Sequence, residues 1–433
     1  MEGRFNCAFI GGRLGVVRLN LGLTVAEVAR RAGVTAEGVR SIEKGRVMPG
    51  LETVERIAGA LNIDPRWLSF GLGQPTRTIL LTPGYEPFRL WHELQSVLTQ
   101  TNGYIADSLK YLDHAGADQW CELLKHSRFA TEASPLPMAD LVATLGEELE
   151  GLPFDLIGIG AGTALHELTL AARLLGRRRH GHDARAFLLD VSHPLLTFAL
   201  NSADQILPKQ YVVPVIGLLG DFNELASYCH LFHPDGPPRR RVLTMFGYTF
   251  SNLDNEIRFV RRNRSWVERG DLLVLDLPAA VAQGTDPERT DPALTNQRPV
   301  VFSELLHKFL TGPIRRHLAS VSDIKLSVLK DSNSSVVPGS YAIEHVAMVK
   351  MQGGETRRYS VGYSRRYDPG GLCSAMEREG WRSVGMFPYG PGFVLCAFRR
   401  EADSLSERNR QDAPPESHGK EHHRTPKLKP AKE

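Results

Sequence analysis

The stretch from residue 155 to 194 constrains the fold of this chain more than any other part of the sequence. It opens with a short apolar run, which predicts a buried strand, and Gly160 and Gly162 follow at once. A periodic apolar segment then predicts a helix, and a second apolar run ends in Asp190. Glycines admit a ligand close to the backbone, a helix N-terminus presents free N–H groups, and the acid can accept both hydroxyls of a ribose. This order of features predicts a site for a nucleoside-bearing cofactor.

The spacing of the glycines narrows the choice of cofactor. A dinucleotide-binding turn needs a third glycine where this chain has Leu165. A turn of two glycines with a following acid is more usual for S-adenosylmethionine, which is therefore the favoured cofactor. The alternative is that the glycines only form a tight turn in a doubly wound sheet that binds no cofactor.

Apolar runs and helical segments continue to alternate after the second strand, which predicts an α/β fold with a parallel sheet. Ligands of such sheets bind at the carboxyl ends of the strands. Five successive runs are each followed by a residue that can meet a ligand: Gly160, Asp190, Asp221, Asn252 and Pro278. This convergence favours a ligand site over a purely structural turn.

Residues 13–70 predict five short helices. Thr24 and Glu27 have the spacing of a capping box at the start of the second helix, and Thr35 can cap the third. Gly33 suits the turn between these two helices. The segment resembles the helix-turn-helix of the Cro and phage-repressor family, and the matching residues are Ala29, Gly33, Val34, Val39, Ile42-Glu43-Lys44-Gly45 and Pro49.

That resemblance implies that the third helix enters the major groove of double-stranded DNA, and that the protein is a homodimer. Residues 1–75 carry ten Lys and Arg against seven Asp and Glu, which accounts for the whole net charge of +3. This small positive excess is compatible with binding to nucleic acid. The alternative is a helical docking or dimerisation module that has lost DNA binding. The residues implied to contact DNA are Thr35, Ala36, Glu37, Arg40, Ser41 and Lys44.

From about residue 90 to 400 the chain resembles the histidine-specific, S-adenosylmethionine-dependent methyltransferase family of the ergothioneine pathway. The matching segments are Gly160-Ala-Gly162-Thr163, Phe187-Leu-Leu-Asp190-Val-Ser192, Gly220-Asp221-Phe222, Thr249-Phe-Ser-Asn252-Leu-Asp254 and Tyr363-Ser364-Arg365-Arg366-Tyr367. The resemblance implies that the cofactor is approached by Gly160 and Gly162 and bound at its carboxylate by His166, at its ribose by Asp190, and at its adenine by Asp221 and Phe222.

The same resemblance implies a substrate side. Asn252 matches an asparagine that holds the substrate's amino group, so it would be catalytic by orienting a neutral amine for in-line methyl transfer without a metal. Ser364 matches a serine near the substrate side chain. Gly362 replaces the glutamate that reads the histidine imidazole, and the segment near Thr290 lacks the family's substrate-facing tyrosine. We therefore expect an amino acid, amine or peptide other than free histidine as the methyl acceptor.

Composition and pattern divide the chain into parts. The predicted parts are a helix-turn-helix domain at 1–72, a linker at 73–88, a methyltransferase domain at 89–400 and a disordered tail at 401–433. The predicted fold of the methyltransferase domain is a Rossmann-like class I sheet with an added small α+β region. Its parts are a helical lid or packing segment at 89–150, the core at 151–330 and a substrate-side α+β part at 331–400.

Two functions from different classes fit these observations. The first is an N-methyltransferase with an appended helix-turn-helix, and the second is a transcriptional regulator whose methyltransferase-like domain senses a ligand. Methylation of DNA bases is disfavoured, because Thr-Phe-Ser-Asn252 stands where such enzymes have an Asp/Asn-Pro-Pro-aromatic loop. Five scattered cysteines predict neither a zinc site nor disulfides. Without a membrane-spanning run or a secretory signal, we expect a cytoplasmic protein.

Overall fold

The computed structural model describes residues 7–20, 23–61, 63–70, 77–126, 136–149, 151–177, 184–208, 213–227, 229–232, 239–253, 255–281, 285–295, 300–331, 335–390 and 392–401. The first five helices are α1 (Cys7–Asn20), α2 (Val25–Ala32), α3 (Ala36–Glu43), α4 (Leu51–Leu61) and α5 (Pro65–Phe70). Apolar residues from all five form one core. The five short helices predicted from the sequence are therefore confirmed.

The ends of α2 and α3 follow the sequence signals. Thr24 accepts the backbone N–H of Glu27, and the Glu27 carboxylate accepts the N–H of Thr24 at 2.8 Å, so the capping box is present. Gly33 adopts the left-handed conformation (φ 61°) that turns the chain from α2 into α3. Thr35 caps α3 by accepting the N–H of Gly38 at 3.0 Å.

The rest of the described chain alternates strands with helices. The strands are β1 (Arg77–Leu81), β2 (Asn102–Tyr104), β3 (Phe154–Ile159), β4 (Ala184–Asp190), β5 (Val215–Leu219), β6 (Arg240–Met245), β7 (Leu272–Pro278), β8 (Val321–Asp331), β9 (Tyr341–Met351), β10 (Thr356–Arg366), β11 (Trp381–Tyr389) and β12 (Phe393–Arg400). The helices are α6 (Pro87–Leu98), α7 (His114–Lys125), α8 (Met138–Glu148), α9 (Leu165–Gly176), α10 (His193–Ile206), α11 (Glu256–Asn263), α12 (Pro287–Thr290), α13 (Val300–Leu310), α14 (Gly312–His317) and α15 (Pro369–Arg378).

Eight strands form the main sheet, in the order β1-β5-β4-β3-β6-β7-β12-β11. The first six run parallel, β12 pairs antiparallel with β7, and β11 pairs antiparallel with β12. Only β12 therefore runs against the other strands, and the sheet resembles the Rossmann-like sheet of class I methyltransferases. The predicted α/β fold class is confirmed.

Helices cover both faces of this sheet. Leu156 on β3 belongs to an apolar cluster with residues of α8, α9 and α10. Its neighbour Ile157 points to the other face, into a cluster with residues of α11 and α15. All six residues of β3 are buried, as expected for a strand covered on both sides. The site at the strand ends therefore rests on a rigid central layer.

A second sheet, in the order β2-β10-β9-β8, packs against α6, α13 and α14. It differs from the α+β part that we placed at 331–400. β2 and β8 come from before that range, while β11 and β12 join the main sheet. We did not predict β8 from the sequence, because only one of its residues is fully buried and its apolar pattern is therefore weak.

The segment predicted as a linker, 73–88, contains a strand. β1 pairs in parallel with β5 at the edge of the main sheet, and α6 begins at Pro87. β1 is five residues long and only half-buried, so glycine, proline and threonine around it dominate the sequence signal. The linker interpretation was wrong for these residues.

Candidate active site

A sharp turn leads from β3 into α9. Gly160 and Gly162 both have positive φ, 64° and 54°, which side-chain-bearing residues rarely adopt. A Cβ placed on Gly160 would lie 2.6 Å from Cγ2 of Thr249, so no larger residue fits there. The two glycines thus allow the backbone to form the floor of the site.

Asp190, at the end of β4, holds this turn in place. Its Oδ2 accepts the N–H of Gly162 at 2.8 Å, and its Oδ1 accepts the N–H of Ser192 at 2.9 Å. Burial raises the pKa of Asp190 to about 6, although these backbone hydrogen bonds favour the ionised form. The acid after the second strand therefore orients the glycine turn, and its contact with a ribose stays a prediction.

A cavity of about 530 Å³ opens at the carboxyl ends of the parallel strands. It brings together seven residues that the sequence singles out for cofactor or substrate: Gly160, Gly162, His166, Asp190, Phe222, Asn252 and Ser364. Its volume lies within the range of about 300 to 1,000 Å³ that is usual for small-molecule sites. Residues far apart in the chain therefore share one space.

Asp221 lies beside this cavity and is not among its lining residues. Its Oδ1 accepts two hydrogen bonds from Asn223, from the backbone N–H and from the side-chain amide, each at 2.9 Å. Arg89 lies 4.0 Å from its Oδ2. Phe222 and Asn223 do line the cavity, so the adenine contact of Asp221 stays a prediction.

The first turn of α9 supplies His166 and an acid that sequence analysis missed. The His166 ring lies 5.6 Å from the ring of Phe246. The next residue, Glu167, is buried, lines the cavity, and has its pKa raised to about 8 by desolvation and by the charges of Asp190 and Asp276. Glu167 precedes Ala171 by four residues, so both lie on the same buried face of α9. This spacing could have revealed that Glu167 is buried.

The side of the cavity that is predicted to face a methyl acceptor, which we call the acceptor side, is formed where β10 meets the turn after β6. Asn252 ends a short 3-10 turn, Phe250–Asn252. The Arg365 guanidinium donates to the backbone carbonyls of Ser251, at 3.3 Å, and of Leu253. These bonds fasten β10 to the Asn252 turn and bring Ser364 to the same cavity.

Ser364 is already part of a hydrogen-bond network. Arg366 donates to Ser364 Oγ at 2.7 Å and to Asp291 Oδ2 at 3.1 Å. Tyr341 also donates to that Asp291 oxygen at 2.9 Å. Thr290 does not line the cavity, but its neighbour Asp291 fixes a cavity residue, which the sequence did not reveal.

The sequence did not reveal a polar and aromatic wall that combines the segment before the glycine turn with Phe309 of α13. Asp107 and Lys110 form an ion pair, and both line the cavity. Tyr111, Trp120 and Phe309 pack on one another with ring centroids 5.3 to 5.8 Å apart. From the sequence, residues 89–150 could form either a lid or a packing segment. In the structure, part of this segment forms a wall of the cavity.

The helix-turn-helix presents a separate surface. Thr35, Glu37, Arg40 and Lys44 are exposed, Ser41 is half-buried, and Ala36 packs partly against the helical core. Glu37 accepts weak contacts from Arg40 and Ser41, both at 3.4 Å. A bidentate pair between Arg18 and Glu43 (2.6 and 3.2 Å) ties α1 to α3 and was not recognised in the sequence.

The described residues contain no group of three or more His, Cys, Asp or Glu side chains placed to hold a metal ion. Among the same residues, no helix is both long and apolar enough to cross a bilayer.

Comparison with known proteins identifies the kind of domain that the N-terminal part forms. A helix-turn-helix family model matches residues 16–68. An uncharacterised HTH-type transcriptional regulator of Methanothermobacter thermautotrophicus is 50% identical over 44 residues, which are 10% of this chain and 64% of that protein's length. The N-terminal part is a helix-turn-helix domain. The prediction from Gly33 and its neighbouring helices is confirmed.

Solved structures similar to the rest of the chain include two methyltransferases. One is an S-adenosylmethionine-dependent methyltransferase from Clostridium acetobutylicum, with 9% identity and a TM-score of 0.34, covering 66% of this chain and 99% of that one. Another is the sugar N-methyltransferase KedS8 from Streptoalloteichus, with 14% identity and a TM-score of 0.32, covering 66% and 92%. The finer resemblance to the histidine-specific family stays a prediction.

Proposed function

We propose that this chain is an S-adenosylmethionine-dependent methyltransferase that N-methylates an amino acid, amine or peptide other than free histidine. The observation that carries the proposal is the convergence of the glycine turn, Asp190 and Phe222 with Asn252 and Ser364 in one cavity. Each of these residues follows or belongs to a different strand. In a parallel sheet the strand ends are where ligands bind.

The residues present fit the cofactor. Thr249 lies where a Cβ on Gly160 would stand, and Gly162 has a positive φ. Glycine is therefore favoured at both positions, and the backbone at the floor of the cavity carries no side chain there. Phe222 offers an aromatic face and Asp190 a carboxylate at neighbouring strand ends. His166 stands at the first turn of α9, where a protonated imidazole can meet a carboxylate.

When bound, S-adenosylmethionine supplies an electrophilic methyl group on a sulfonium. Asn252 would hold the acceptor nitrogen through its side-chain amide and aim the nitrogen lone pair along the line of transfer. Ser364, fixed by Arg366, would position the remainder of the acceptor. An amine that arrives deprotonated needs no strong general base, so positioning is the main contribution of the protein.

Asp190→Ala is expected to weaken binding of S-adenosylmethionine by about a hundredfold or more, because it removes the group that fixes the Gly162 N–H and would face the cofactor. Titration calorimetry on the purified protein measures this. Asp204→Ala is the matched control, since Asp204 is exposed on α10 and pairs only with Arg77 in the described part of the chain. A folded wild-type protein that binds no S-adenosylmethionine would reject the enzyme proposal.

The helix-turn-helix favours a second function, a DNA-binding regulator whose methyltransferase-like domain senses a ligand. Arg40 and Lys44 are exposed cations on α3. We expect the double change Arg40→Ala and Lys44→Ala to lower affinity for duplex DNA from upstream of its own coding sequence by about tenfold or more per lost contact. Fluorescence anisotropy at fixed salt tests this, with exposed Arg289→Ala as the control. Failure of the wild type to bind duplex DNA would leave the domain as a docking module, and equal binding by both proteins would show that Arg40 and Lys44 are not the contacts.

A further inference from the structure

The far end of the acceptor side carries the carboxylate of Asp107. Asp107 Oδ1 accepts a hydrogen bond from Lys110 Nζ. The Asp107 side chain is 25% exposed, whereas Lys110 is 1% exposed. Among the residues that the structure describes, Asp107 Oδ2 has no protein partner. Lys110 therefore orients the carboxylate from behind, and Asp107 is the member of the pair that a ligand can reach.

Gly362 makes room for this pair. A Cβ on Gly362 would lie 3.3 Å from Lys110 Nζ and 3.9 Å from Asp107 Oδ1. Gly362 and Ser364 both line the cavity from the same face of β10, two residues apart. Such a step along a strand is about 7 Å. Asp107 therefore lies about one such step beyond Ser364, on the side away from the Asn252 turn.

Aromatic rings line the same cavity as the Asp107–Lys110 pair. Lys110 Nζ lies 5.9 Å from the centroid of the Phe309 ring. Tyr104 and Tyr363, next to Gly362, face each other at 5.8 Å, and all three rings line the cavity. A carboxylate oxygen in a cavity with aromatic walls suits a nitrogen that donates a hydrogen bond or bears a positive charge. An acidic group would meet the Asp107 carboxylate first and be repelled.

We propose that the methyl acceptor is an amine with a second, hydrogen-bond-donating nitrogen, which Asp107 binds about 7 Å beyond the position of Ser364. This inference rests on the proposed function, because Asn252 marks the methylated end. Asp107 is then the residue that selects the acceptor, and Gly362 with Lys110 keeps it in position. An acceptor with a plain alkyl end leaves Asp107 without its partner.

Three small amines that share a five-carbon chain test the inference: cadaverine, pentylamine and 5-aminopentanoate. The binding of each is measured by titration calorimetry in the presence of S-adenosylhomocysteine. The wild type is expected to bind cadaverine about tenfold to a hundredfold more tightly than pentylamine, and 5-aminopentanoate most weakly. Asp107→Asn is expected to abolish the preference for cadaverine over pentylamine. Asp118→Asn, an exposed acid on α7 outside the cavity, is expected to keep it.

Asp107→Asn leaves Lys110 buried without its counter-charge, which destabilises the fold. The double change Asp107→Asn and Lys110→Met removes both charges together. We expect it to fold and to lose the preference for cadaverine as well. Equal affinity for cadaverine and pentylamine in the wild type, or a preference that survives both variants, would overturn the inference. So would failure of cadaverine to bind a protein that binds S-adenosylhomocysteine, and the methyltransferase proposal would then still stand. A folded protein that binds no S-adenosylhomocysteine would reject both.

Discussion

Glu167→Gln is expected to make the protein more stable than the wild type at pH 9, by about 4 to 5 kcal/mol, with a much smaller difference at pH 5. Desolvation raises the pKa of Glu167 from 4.5 to about 8, and the charges of Asp190 and Asp276 act in the same direction. A raised pKa means that the folded state holds its proton more tightly than the unfolded state. The stability that this gives is complete below pH 4.5 and is lost as the pH rises through 8, whereas glutamine stays neutral throughout.

Urea denaturation of both proteins from pH 5 to 9 measures this difference. Burial also raises the pKa of Asp190, to about 6, but both proteins retain Asp190, so its contribution largely cancels in the comparison. Glu147→Gln, an exposed acid on α8, is the control and is expected to track the wild type. If the wild type and Glu167→Gln lose stability in parallel up to pH 9, Glu167 is not the protonated group described here.

Gly160→Ala is expected to cost about 3 kcal/mol of folding free energy and to abolish measurable binding of S-adenosylmethionine. The added Cβ would stand 2.6 Å from Thr249 Cγ2, at a residue whose φ of 64° already disfavours a side chain. Relief of that clash must move the turn that Asp190 holds or the Thr249 side chain, and both line the cavity. Chemical denaturation and calorimetry on the same preparation report the two effects separately.

Gly176→Ala is the matched control for that substitution. Gly176 is the last residue of α9, and a Cβ placed there would meet nothing within 4 Å. We expect a neutral effect or a gain of up to about 1 kcal/mol, with unchanged cofactor affinity. If both alanines behaved alike, the conformation of Gly160 would not be important for the site.

The sequence predicts the half of the site that follows strands buried on both faces. Gly160 and Asp190 come directly after continuous apolar runs, so both their location and their shared sheet edge can be read from the chain. The helix-turn-helix is equally local, because its caps and its Gly33 turn depend on residues three or four apart. Prediction succeeds where nearby residues determine the structure.

The acceptor side depends on contacts between distant parts of the chain. Asp107 meets Gly362 only because β10 pairs with β2, some 250 residues earlier in the sequence. No period or motif in either segment shows this pairing. Glu167 also escaped notice because an acid at a helix start is ordinarily solvated, and only the packing of α9 on the sheet buries it.

The short strand β1 has a practical consequence for dividing this protein. A shortened chain that begins at residue 89 removes Arg77–Leu81 and leaves the whole edge of β5 without its hydrogen-bonded neighbour. Unprotected strand edges recruit other chains, so aggregation is the expected outcome of that cut. Thr82, which donates to the Leu219 carbonyl at the end of β5, would be lost as well. A fragment without the helix-turn-helix that stays soluble should begin before residue 77.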